Sequence, residues 1–162
     1  MPLEFNLRHL EKRNLELTGE LTGAELELTG VDDMIKVNQP VRYDLVVERL
    51  NDSVLVRGAL ECTLDCTCVR CLQPFSHELA LPDWTCDLPL EGEEKVTVSN
   101  DCVDLTPFVR EDILLAFPQH PLCEPGCRGL LNPDTRTKEP ASVDQEATGT
   151  SSAWAELNKL KF

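Results

Sequence analysis

Two cysteine pairs, far apart along the chain, constrain its fold more than any other feature. They are Cys68-Val69-Arg70-Cys71 and Cys123-Glu124-Pro125-Gly126-Cys127. Each has the local spacing that lets two thiolates grip one metal ion, and four such sulfurs make a structural zinc site. For the pairs to act together, residues 72–122 must run out and back so that two distant loops meet. Zinc is therefore the expected cofactor, with Cys68, Cys71, Cys123 and Cys127 as its candidate ligands. The competing reading of each pair is a turn whose cysteines pack as ordinary half-buried side chains.

The sequence around the pairs reads as strands. Leu15, Leu17 and Leu21 alternate with polar residues, and Leu26 and Leu28 repeat the pattern. Val41, Tyr43, Leu45 and Val47 share one face, with Arg42, Asp44 and Glu48 opposite. After the turn Asn51-Asp52-Ser53, one face collects Val54, Val56, Gly58, Leu60, Cys62, Leu64 and Cys66. Period-two alternation of this kind marks half-buried strands. Cys62 and Cys66 are small hydrophobes on the core face, and Cys86 and Cys102 are isolated and structural. Phe75, Leu79 and Leu81, then Trp84, Cys86 and Leu88, suggest one or two further strands, broken at Pro82. A short strand is expected over residues 96–98. The first pair thus falls at a hairpin turn.

One helix is well marked. Thr106 suits an N-cap and Pro107 the first helical position. Phe108, Val109, Ile113, Ala116 and Phe117 follow at helical spacing, and Pro118 and Pro121 stop the run. The fold class expected is mainly β (α+β): an antiparallel barrel-like or sandwich-like sheet with one central helix and a short C-terminal amphipathic helix. The body is residues 1–131. Residues 132–152 are polar and rich in Thr, Ser and Pro, a flexible linker. Residues 153–162 place Trp154, Leu157 and Leu160 on one helical face, expected to dock on the body or on a partner.

The chain of 162 residues carries a formal charge of −14. That field repels phosphate backbones and attracts basic proteins. It has no apolar run long enough to span a membrane, and its first residues lack a signal pattern, so a cytoplasmic, acidic protein is expected. Closely spaced cysteines in that compartment are metal ligands or redox groups. A thiol-disulfide enzyme places its Cys-x-x-Cys at a helix N-terminus, whereas this pair follows a strand. No Ser/His/Asp grouping, phosphate-binding glycine loop or paired catalytic carboxylate stands out, so neither an enzyme nor a small-molecule substrate is expected. Arg70 lies inside the first pair and Arg128 directly follows the second. Should the pairs meet, the two arginines make a positive spot suited to contacting RNA or a partner.

The order of motifs resembles one family. The series begins with Cys68-x-Arg70-Cys71-Leu72-x-Pro74-Phe75. It continues through Val103-Asp104-Leu105-Thr106, the helix Val109 to Ala116, and Pro121-Leu122-Cys123 to Cys127-x-Gly129-Leu130. It ends in Trp154-Ala155-x-Leu157-x-x-Leu160-Lys161. From about residue 40 onward the chain is similar to the large ribosomal RNA subunit accumulation proteins, the YceD family. Many similar proteins carry a further Cys-x-x-Cys where this chain has Leu131-Asn132-Pro133-Asp134-Thr135, which leaves the four named cysteines. The resemblance implies a non-enzymatic factor in ribosome biogenesis that assists synthesis, processing or accumulation of large-subunit rRNA. Its partner would be an rRNA precursor or a basic ribosomal protein. The rival expectations are a zinc-binding interaction adaptor unrelated to ribosomes and a thiol-disulfide enzyme.

Overall fold

A computed structural model of the chain describes residues 3–11 and 13–130. The expected linker and C-terminal helix, with Trp154, Leu157 and Leu160, lie outside the described residues. The elements are β1 (Glu4–Asn6), α1 (Leu7–Leu10), β2 (Leu15–Leu21), β3 (Ile35–Lys36), β4 (Val41–Leu50), β5 (Ser53–Thr67), β6 (Pro74–Pro89), β7 (Val98–Ser99), β8 (Cys102–Asp104) and α2 (Thr106–Leu115).

Strand β5 organises the larger sheet, and its alternation explains why. Val54, Val56, Leu60, Cys62, Leu64 and Cys66 are all buried, while the residues between them reach solvent. Antiparallel β6 pairs with β5 from Ser53↔Pro89 to Thr67↔Pro74. On the other edge of β5, β4 takes Ser53 to Glu61 and β3 takes Asp65 and Cys66. Strand β2 then extends the sheet beyond β4. The result is an antiparallel sheet curled into a half-barrel, with a small second sheet ordered β1-β8-β7. The mainly β expectation holds.

Three local expectations are corrected by the structure. Pro82 does not break the strand. Gly58 pairs with Trp84 and Leu60 with Leu81, so Pro82 and Asp83 together oppose Ala59 alone. At that bulge the missing proline N–H leaves no ladder bond unmade. Leu26 and Leu28 are not in a strand. Both are buried, but from a turn in which Glu27 takes φ 50° and the Leu28 N–H donates to the Gly23 carbonyl at 2.8 Å. Thr106 is not the N-cap, because the cap position falls on Leu105. Its hydroxyl instead accepts from the Leu3 N–H at 2.9 Å, and the Asp104 carboxylate takes the Thr106 N–H at 2.8 Å. One side chain thereby ties the N-terminal segment to the start of α2.

Helix α2 buries Val109 and Ile113 in the common core. Its register on the sheet is fixed by a polar contact, the Trp84 indole N–H donating to Asp112 Oδ2 at 2.6 Å. Among the described residues no helix is long and apolar enough to cross a membrane.

Candidate metal centre

The first cysteine pair sits where β5 hands the chain to β6. The Cys68 N–H donates to the Gln73 carbonyl at 2.9 Å, and the Leu72 N–H returns to the Cys68 carbonyl at 2.9 Å. Closing so tight a turn puts Leu72 at φ 59°, a region non-glycine residues rarely occupy. The second pair lies beyond α2, where Pro118 and Pro121 end helical structure. There the Cys127 N–H donates to the Glu124 carbonyl at 3.1 Å and closes its own turn.

The two turns are joined by backbone and side chain. The Val69 N–H donates to the Pro121 carbonyl at 3.0 Å, and the Arg70 guanidinium donates to the Cys127 carbonyl at 3.0 Å. Gly129 passes close beneath, at φ 80°, where an added Cβ would lie 3.3 Å from the Arg70 carbonyl oxygen. A side chain there meets both strain and crowding.

This scaffold gathers the sulfurs of Cys68, Cys71, Cys123 and Cys127 within 4.8 Å of one another. Cys68 and Cys127 are 3.7 Å apart, and so are Cys71 and Cys123. Four sulfurs each ~2.3 Å from a central zinc stand ~3.8 Å apart along every edge of the tetrahedron. The arrangement fits that geometry. A set of four soft thiolates selects zinc or iron over hard cations. Cys68 and Cys127 are buried, Cys71 is half-buried and Cys123 is exposed.

The electrostatics favour a thiolate at one corner. Backbone N–H groups of Cys123 and Cys71, aided by that of Arg70, hold the Cys68 thiol down to about 6. Crowding by its neighbours takes water from the Cys123 sulfur, and hydrogen bonds with the thiols of Cys71, Cys127 and Cys68 add to that effect. Together they push Cys123 up to about 12. Four thiolates side by side repel, and a divalent cation is the group that lets all four ionise.

Other expected residues fall as follows. Cys62 and Cys66 are buried on the core face of β5 and stay outside the cluster. Arg70 and Arg128 flank the cluster and are exposed, although Arg70 already spends one donor on Cys127. Sequence reasoning did not find Val69, Pro121 or Gly129 as the parts that join the loops. Only Gly129 left a signal, a glycine two residues past a ligand pair.

These features define a class: a small antiparallel β protein whose two loops converge on a candidate four-sulfur metal centre. Residues 56–161 match the family described as Large ribosomal RNA subunit accumulation protein YceD. The chain belongs to that family. It is also 29% identical over 129 residues to the Bacillus subtilis (strain 168) protein called "Uncharacterized protein YlbN", covering 74% of this chain and 72% of that one. No solved structure matches the chain.

Proposed function

We propose that this protein is a non-enzymatic factor that assists accumulation of large-subunit rRNA, held in shape by zinc at Cys68, Cys71, Cys123 and Cys127. It works by binding, either to an rRNA segment beside Arg70 and Arg128 or to a basic ribosomal protein. The observation that carries this reading is membership of a family named for accumulation of large-subunit rRNA. The charge of −14 favours the protein partner, because a strongly acidic surface attracts cations and repels phosphate. A cytoplasmic location accompanies it.

The test is affinity capture of the tagged chain, with rRNA counted in the captured material and in cells lacking the protein. Enrichment of large-subunit precursors, and a fall in large-subunit relative to small-subunit rRNA on depletion, are expected. Capture without ribosomal material would favour the unrelated adaptor instead. A thiol-disulfide enzyme has one observation in its favour, the lowered Cys68 thiol. Against it, Cys68 is 0% exposed, so no disulfide substrate reaches the sulfur that would attack.

A further inference from the structure

A cavity of about 980 Å³ lies between the turn that holds Glu27 and the outer face of α2, and it shares no lining residue with the cysteine cluster. Its apolar lining is Leu26, Pro107, Leu114 and Leu115, the last two at the end of the helix. Leu115 is 77% exposed, more than any other large hydrophobic side chain among the described residues. Around these leucines stand the carboxylates of Glu27, Asp104 and Glu111. The last turn of α2 carries no basic residue to offset their charge. Arg110 also lines the cavity, and its Nε is buried with no hydrogen-bond partner among the described residues.

We propose that this groove docks a lysine- or arginine-rich segment of a partner protein, with an apolar side chain of that segment seated on Leu115. The proposal rests on the basic-protein reading given above and names the surface that serves it. Three carboxylates meet cationic side chains, and the leucines meet an apolar one. RNA fits poorly, since its acceptors come with phosphate charge that the carboxylates repel. A second copy of this chain would bring its own net charge of −14.

The probe is a fluorescent peptide of alternating lysine and leucine, titrated by anisotropy against the full-length protein at physiological salt. The double variant Glu27→Lys/Glu111→Lys should bind at least tenfold more weakly, and Leu115→Ser at least threefold more weakly. Glu91→Lys/Glu93→Lys makes the same change in net charge on an exposed loop outside the groove and should alter binding less than threefold. Equal losses in the two double variants would overturn the groove in favour of the whole-molecule field. Tenfold tighter binding after Trp154, Leu157 and Leu160 are all changed to alanine would assign the groove to this chain's own C-terminal segment. Dimerisation abolished by Leu115→Ser would assign it to a second copy. Direct binding of a labelled RNA oligonucleotide to the protein, lost in Leu115→Ser, would assign it to RNA. Each of those three results overturns the proposal. Large-subunit ribosomal proteins freed of RNA are the second probe. If they bind and the groove variants bind them equally well, the groove is wrong and the basic-protein reading stands. If they fail to bind while the peptide behaves as expected, that reading is wrong and the groove stands.

Discussion

The guanidinium of Arg70, inside the first cysteine pair, donates to the carbonyl of Cys127, the last residue of the second, at 3.0 Å. This bond and the one from Val69 to Pro121 join the two loops through protein groups alone, beside the sulfurs. Arg70→Ala should therefore loosen metal retention rather than abolish it. A charge-assisted bond at a partly exposed site is worth ~1–1.5 kcal/mol, or about tenfold in affinity. Competition with a chromophoric chelator measures this, and Arg70→Lys should recover part of the loss.

Metal analysis should find one zinc per chain, lost in Cys68→Ser. Cys68 and Cys127 are buried but stand outside the main hydrophobic core cluster. Chelation should therefore leave the circular dichroism of the sheet in place. Hydrogen exchange should speed up in residues 68–73 and 121–129 and remain slow in β4, β5 and β6. Collapse of the whole sheet on chelation would contradict this.

Gly58→Ala should destabilise the protein severely, by ~3 kcal/mol or more. An added Cβ would lie 2.0 Å from the carbonyl oxygen of Asp44, on the neighbouring strand, where only backbone can give way. Gly126→Ala is the matched control. Nothing lies within 4 Å of its added Cβ, so stability should change little. Denaturant unfolding of the two variants checks the contrast.

Burial pushes the Cys62 thiol up to about 11 from an ordinary value of 9.0. Burial, ahead of the charges of Asp112 and Asp87, does the same to Cys86. A raised thiol pKa means that the folded chain holds its proton after the unfolded chain has released it. The associated stability is intact below about pH 9 and is lost as pH rises toward 11. Cys62→Ala should flatten that alkaline decline by about 2 kcal/mol, read as the difference between the two pH–stability curves.

The Trp84 to Asp112 bond ties α2 to β6 at 2.6 Å. Asp112→Ala leaves a largely buried indole N–H without its partner and should cost ~1–2 kcal/mol. Trp84→Phe in the Asp112→Ala background should cost less than Trp84→Phe alone, the mark of a shared interaction in a double-mutant cycle.

The parts of this fold legible in the sequence are those set by local periodicity. Val41 to Val47 and Val54 to Cys66 alternate cleanly, and they became β4 and β5. Thr106 and Pro107 do begin α2. Strand β1 was not visible, because three residues carry no period and owe their state to pairing with Cys102–Asp104 across the chain. Pro82 misled because its tolerance depends on a bulge that forms in β6 only on pairing with β5. Cysteine spacing named the four sulfurs, but the groove beside Leu115 joins residues 25–27 to 104–115 and leaves no trace in either segment.

Both close sulfur pairs cross between loops: Cys68 meets Cys127, 59 positions later, and Cys71 meets Cys123, 52 positions later. Neither contact can form until the residues of β6, β7, β8 and α2, which lie between the pairs, have been made. During synthesis the first pair must wait as two free thiols while everything between is completed. A bound metal ion would thus mark a chain made at least through Cys127, and one truncated before that residue would fail to retain it.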